Sequence, residues 1–599
     1  MMKYKAAGVD RIYGIPLLFV LTIVPLLTMM GVYQSGIGDY PWASGHFFYD
    51  FFLIFKSRAL MLTGILVSLL LGMLLYSGKR GAGTKMQRTG LILAGLFFVV
   101  SLISALAARE RVDALFGGYE QMEGLFVILS YVACFCFTCL YVTGEGWVSM
   151  LLHALLVGSF ILSLLGALQV FGIDYLTRKE TLPFFTMFME NPPENGITAS
   201  FGEGVAYATL YNPNYVGSYV ALVLPVTVFL GFWEKKVVFR IMAVLSSLLQ
   251  LIMLVGAQSM TGVLGVIAGA FFALLFLFAD IRKNCRVLIA IFAAGIMAMF
   301  FLFLFVPDFL NRFTNSTMPD GSNRISSMVT SADSLQVNLD TGKTLTWKWK
   351  REGTIFDFDV LEEGETPLKL TGDTFSGVGI AGERYSDIRM TATKAEIKEE
   401  EETCYYDVLR ITADESTYWD FAKMDGRLRY INRAGKPDGI HKVDSLGFEG
   451  HYDFATNRGY IWSRTIPLLK ETVFSGVGPD HFVYAFPNDD YVGKVSCGFD
   501  GQLITKPHNM FLQIWVQDGL PACLALVACY VIFAISTFRR CFRRGALSYR
   551  DKINIAVFCG VTGYMAAGLA NDSTICVAPV FWILLGLGYS ITAQGEKKC

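Results

Sequence analysis

The chain has 599 residues, 53% of them apolar and 17% charged, with 50 basic against 51 acidic side chains. Soluble domains carry roughly 25% charge, so this balance is that of a polytopic membrane protein and excludes an ordinary soluble domain. The formal net charge of −1 gives no reason to expect nucleic acid as a partner.

A membrane-spanning helix needs about 20 mostly apolar residues. Such runs fall at 12–33, 59–77, 89–108, 125–143, 148–171, 214–232, 238–256, 261–279, 287–306, 510–536, 553–570 and 574–592. The first is not a cleavable signal, because it is long, contains Pro16 and Pro25, and lacks a small-x-small site after it. Lys and Arg gather in alternate connections: Lys79 to Arg88, Lys235 to Arg240, Arg282 to Arg286, Arg539 to Lys552, and the tail with Lys597 and Lys598. The head, with Lys3, Lys5 and Arg11, agrees with them; the short turn 144–147 is the exception. The positive-inside rule then predicts a multi-pass cell-membrane protein with both termini cytoplasmic and about twelve spans.

Outside the membrane this leaves segments 34–58, 109–124, 172–212 and the long 307–509. Within the last, strand-like runs at 334–339, 343–350, 354–361, 388–395, 404–411 and 427–433 are separated by turn signals such as Asp340-Thr-Gly and Asp425-Gly. The fold class expected is thus a polytopic α-helical membrane protein with an inserted extracytoplasmic antiparallel β-domain. Its parts are helices one to nine over 1–306, the mainly β insertion over 307–457, an extracytoplasmic catalytic loop over 458–509, and helices ten to twelve over 510–599. Most cysteines lie in apolar runs and read as small hydrophobes. Cys404 and Cys497 stand in the polar region, where a disulfide is one option.

The spans are nearly free of ionisable residues, which argues against a transporter. His153 is an exception and reads as a packed side chain. The polar groups of interest fall in Arg458–Gly519, which opens on Arg458 and carries His508 at the mouth of an apolar run. An Arg and a His held at a membrane surface suit chemistry on a phosphate-bearing lipid. Taken singly, His508 reads equally as an interfacial residue and Arg458 as a snorkelling anchor. Gly476, Gly478, Pro479, Asp480 and Asp490 read as turn residues. Asn212 and Asn214 read as a helix start.

Three blocks resemble the O-antigen ligase and polymerase superfamily, membrane glycosyltransferases that use polyprenyl-diphosphate glycans. They are Thr209–Pro225, TLYNPNYVGSYVALVLP; Ala257–Gly265, AQSMTGVLG; and Arg458–Gly519, whose RGYIW, GVGPDHF, KPHN and DGLP elements follow in order. The resemblance excludes the β region at about 315–455. This chain has Met260, and Gln121 in GGYEQMEGL, where many members carry Arg. Arg109, Arg111 and Arg178 are candidates to compensate.

The resemblance implies transfer or polymerisation of glycan from a polyprenyl-diphosphate-linked oligosaccharide to a glycan or lipid-glycan acceptor, in cell-surface polysaccharide biosynthesis. Arg458 would hold the diphosphate through its planar fork, and His508 would take the acceptor proton. Arg464, Lys506, Asn212, Asn214 and Gln121 are the expected substrate-binding residues. No cofactor and no metal-ligand cluster are read from the sequence. The competing expectation is a non-catalytic glycan-binding or assembly protein with a β ectodomain.

Overall fold

The computed structural model describes residues 11–78, 83–190, 192, 197, 201–282, 325–350, 355–373, 377–398, 403–413, 417–542 and 547–596. The expected span at 287–306 lies outside the described residues. The first described helices are α1 (Ile15–Thr22), α2 (Ile54–Tyr76), α3 (Lys85–Ala107), α4 (Arg111–Phe116), α5 (Leu125–Tyr141), α6 (Glu145–Val170), α7 (Leu182–Phe185), α8 (Pro213–Trp233), α9 (Val237–Ala257) and α10 (Met260–Arg282). Those following the β region are α11 (Phe454–Leu468), α12 (Phe482–Ala485), α13 (Tyr491–Ser496), α14 (Met510–Asp518), α15 (Leu520–Cys541), α16 (Tyr549–Ala567) and α17 (Ala578–Glu596).

Six described helices, α2, α3, α6, α8, α9 and α15, are long and apolar enough to cross a membrane. Shorter apolar helices cover 11–26, 125–141, 260–276 and 578–593. Two expected spans differ. The run at 12–33 ends as a helix near Pro25 and gives way to a hairpin, β1 (Gly31–Gln34) paired with β2 (Phe47–Asp50). The run at 510–536 is two helices, because Gly519 takes φ 103° between them and Pro521 opens the second. Pro lacks the amide hydrogen that would continue the first helix.

The buried centre of the helical part is α8, which packs against α9, α10 and α16. Its start follows from Asn212-Pro213: the Asn212 carboxamide accepts from the Asn214 amide at 2.9 Å, and Pro213 needs no partner in the first turn. Where α8 crosses α10, Gly217 meets Gly262, and a Cβ added at Gly262 would lie 2.3 Å from the Gly217 Cα. Small residues at such crossings let helix backbones approach in an apolar surround. At the start of α2 the buried Lys56 donates to the carbonyls of Leu27, Phe52 (2.9 Å) and Thr209 (2.8 Å), which uses all three of its hydrogens. That contact pins the chain just ahead of α8.

The insertion is built of two antiparallel sheets. One has order β3 (Ile325–Thr330), β4 (Ser334–Leu339), β5 (Thr344–Trp349), β6 (Phe358–Glu362), β7 (Thr366–Pro367). The other runs from β8 (Leu370–Asp373) through β9 (Gly377–Ile380), β10 (Arg389–Lys398), β11 (Thr403–Thr412), β12 (Tyr418–Met424) and β13 (Arg427–Ile431) to β14 (Pro437–Asp438). Alternate residues such as Leu335, Val337 and Trp347 from the first meet Met390, Ile411 and Phe421 from the second in one core. Cys404 and Cys497 are not joined by a disulfide, so that option is not taken up. The β-domain rests on the helical part through Asn432 to the Pro41 carbonyl (3.0 Å), Lys436 to the Gly38 carbonyl (3.4 Å) and Arg433 to Asp500 (2.7 Å). Tyr491 and Val492 of α13 complete the β core from the other side of the contact.

Gly262→Ala is expected to force α8 and α10 apart and cost about 1–3 kcal/mol, read as a lower thermal midpoint in detergent. Gly95→Ala, whose Cβ meets nothing within 4 Å, is the control and loses none.

Candidate functional site

Four short segments meet at the helix ends beside the β-domain: the loop before α5, the start of α8, the irregular stretch 499–509, and the turn between α16 and α17. The GVGPD element supports them. Val477 and Gly478 donate backbone hydrogens to the carbonyls of Val516 and Gln517, each at 2.9 Å, and so satisfy the last turn of α14. A Cβ at Gly476 would stand 2.1 Å from the Gln517 carbonyl oxygen, so the approach requires glycine. Asp480 is more than a turn residue. It is buried and accepts from the Gly118 and Glu123 amides, and burial pushes its carboxyl well above the usual range.

Between these segments lies a cavity of about 140 Å³. Its walls include Glu120, Tyr211, Asn212, Asn214, Tyr215, Lys506, His508 and Asn571. Lys506 is buried and donates to the Tyr215 hydroxyl at 2.9 Å, with its ammonium 5.1 Å from the Tyr211 ring centre. Burial opposes its charge, but Tyr211, Glu120, Asp572 and Asp480 outweigh that and raise its pKa. His508 stands at the edge, held at φ 50°, with Nδ1 2.8 Å from Asp572 Oδ2. The Asp572 side chain is fully buried, whereas that of His508 is 37% exposed. A carboxylate on Nδ1 makes that nitrogen the donor and leaves the Nε2 lone pair for a proton. Tyr211 and Glu120 also have positive φ, at 75° and 59°. Backbone held in this sparsely populated region gathers at functional sites.

The other expected residues fall in different places. Arg458 follows three consecutive left-handed residues, Ala455, Thr456 and Asn457. Its Nη1 donates to the Ala455 carbonyl (2.8 Å) and to the Thr456 hydroxyl (2.7 Å), while its Nε has no partner. Burial lowers its pKa, and Asp572 opposes that shift. Arg458 is absent from the cavity wall, but Ile461, one helical turn on, forms part of it. Asp572 is hydrogen-bonded to His508 and acts on Arg458 only through its charge. Arg464 does not reach the cavity. It pairs with Asp490 at 3.0 Å and lies over the rings of Tyr452 and Tyr460. Asn212 and Asn214 line the cavity while capping α8; the Asn214 carbonyl accepts from Asn571 at 2.9 Å.

Gln121 is buried behind the wall, donating to the Thr505 carbonyl and accepting from Gln513 and Gln517 at 3.1 Å each. It forms an uncharged amide knot where the resembling family carries a cation. Arg109, paired with Glu110 and set over Tyr40, is not on the cavity wall, nor are Arg111 and Arg178. His153 is 2.9 Å from Glu234 and stacks on Phe239, as a packed side chain would. Among the described residues, no group of three or more His, Cys, Asp and Glu is placed to hold a metal ion.

Sequence reasoning passed over Asp572, Glu120, Tyr211, Tyr215 and Asn571. Asp572 lies in the short connection between the apolar runs 553–570 and 574–592, and only its adjacency to Asn571 and Ser573 marks it.

These features define a helical membrane protein with a polar, cation-bearing cavity at the end of its bundle. Residues 409–547 match the O-antigen ligase family. The match supports the superfamily resemblance and, with the apolar helices, supports a membrane protein of polysaccharide biosynthesis. The match takes in α11 to α15 and begins at the end of β11, so it enters the β region where the resemblance had stopped. No curated protein and no solved structure matches the chain.

Glu123 gives a test of the electrostatics behind the wall. It accepts from Tyr131 and Ser573, both at 2.8 Å, and burial pushes it from 4.5 up to about 7. A raised carboxyl pKa contributes stability that is fully present below the unfolded value and lost as pH rises through the folded one. The thermal midpoint of the wild type should therefore fall between pH 4.5 and about 7, and Glu123→Gln should flatten that slope.

Proposed function

We propose that the protein transfers glycan from a polyprenyl-diphosphate donor to an acceptor hydroxyl, with His508 as base and Arg458 on the diphosphate. In this reading about twelve spans cross the membrane, both termini are cytoplasmic, and the cavity and β-domain face outward. The acceptor oxygen bonds to the anomeric carbon as the bond from that carbon to the diphosphate oxygen breaks. The lipid diphosphate leaves with the electron pair, and the acceptor proton passes to His508 Nε2. Asp572 orients the imidazole and stabilises the imidazolium that forms. Arg458, one helical turn before the wall residue Ile461, is assigned to the leaving group, and Lys506 adds a fixed positive charge on the wall itself.

The observation that carries this reading is His508 on the cavity wall with Nδ1 held by a buried carboxylate. His508→Ala should lower transfer by about 10²–10⁴-fold, the usual worth of a general base, in protein that is still inserted and abundant. Unchanged transfer by purified His508→Ala protein removes the imidazole from the mechanism. Arg458→Ala should chiefly raise KM for the lipid donor, and Arg458→Lys should not restore it, because an ammonium lacks the planar fork. A normal donor affinity in Arg458→Ala removes that assignment.

A second reading, a glycan-binding or assembly protein without turnover, is favoured by the neutral amide knot at Gln121. Purified protein that binds a lipid-diphosphate oligosaccharide yet never transfers it to any of several acceptors would decide for this reading.

A further inference from the structure

A second hollow, of about 390 Å³, opens where the β-domain meets the helical part. That volume lies within the roughly 300–1,000 Å³ of small-molecule sites. It shares Glu120, Gln502 and Leu503 with the His508 cavity, so the two spaces lie on either side of one stretch of wall. The helical part supplies Trp42 and Tyr119 to it, and the β-domain supplies Asn432 and Arg433 from the end of β13.

We propose that this hollow is a saccharide subsite, which holds the sugars of an oligosaccharide whose reacting end lies in the His508 cavity. The inference rests on the transfer reading given above. Its chemical basis is the mixture of surfaces. The indole of Trp42 and the phenol of Tyr119 offer flat apolar faces with a polar edge, which suit the CH face of a sugar ring. Gln502 and Glu120 bring planar donors and acceptors for hydroxyls, whereas the Asn432 carboxamide is taken up by Pro41, Tyr491, Ala434 and Lys436 and only shapes the wall.

The charges argue against a phosphate here. Arg433 is neutralised by Asp500 at 2.7 Å and stacks on Tyr418, 3.8 Å from the ring centre. Lys494 donates to the Asn488 carbonyl at 3.1 Å, and burial lowers its pKa to about 8. Glu120 adds a negative charge at the junction. A neutral polyhydroxylated chain matches this balance; a diphosphate matches the Lys506 side.

The test fills the hollow from two walls without touching the His508 cavity, with Ser44→Trp and Ala434→Trp. Both residues line the hollow alone. Each variant should raise KM for an oligosaccharide substrate about tenfold, as loss of uniform binding does, and leave turnover of a single-sugar substrate unchanged. Donors and acceptors are varied in length separately, so the substrate whose KM rises identifies which glycan occupies the hollow. If wild type transfers and both variants treat long and short substrates alike, the subsite is refuted and the transfer reading stands. If wild type transfers nothing, the transfer reading falls. The hollow is then judged by calorimetry with lipid-free oligosaccharides released from the organism's surface glycan. Binding that Ser44→Trp abolishes sustains the subsite; absent or unaltered binding overturns it.

Discussion

The hydrogen bond between His508 and Asp572 is the constraint on which the site depends. It joins the stretch that returns from the β-domain to the turn between the last two helices, 64 residues away. A buried carboxylate without a partner is costly, and Asp572 has its imidazole partner at 2.8 Å and Arg458 near enough to interact with its charge. The same carboxylate acts on Lys506. Around one buried carboxylate the fold thus arranges an imidazole and an ammonium from a single stretch of chain, with a guanidinium from a second within reach of its field. Lys56 does comparable work for the opposite wall, because its bond to the Thr209 carbonyl sets the approach to Tyr211 and Asn212.

Where apolar length and turn chemistry decide structure, the residues were legible. The alternation in Ser334–Leu339 reproduces β4 residue for residue, and the run at 238–256 lies inside α9. Reading failed where a local backbone feature overrides hydropathy. Gly519 is one residue in an apolar stretch, yet its positive φ divides a helix that composition alone makes continuous. Pro25 does the same for the first run.

The site was half legible for a related reason. His508 and Lys506 stand out because two basic side chains at the mouth of an apolar helix have few structural uses. Arg464 looks the same in sequence, yet Asp490 and two tyrosines absorb it completely. Asp572 could not be found by inspection, since a lone acid in a three-residue turn acquires meaning only when the partner 64 residues earlier is brought to it. Gln121 was marked by analogy as a place where charge had been lost. What it has instead is a set of amide–amide hydrogen bonds tying α14 to the loop before α5.

The division at Gly519 bears on how the molecule is assembled. A helix that stops leaves its last carbonyls in need of donors from elsewhere. The final carbonyls of α14 find their donors in Val477 and Gly478, on a loop made earlier in the chain. The last turn of α14 is therefore complete only when that loop lies across it, and a change in the loop is felt at the joint between α14 and α15.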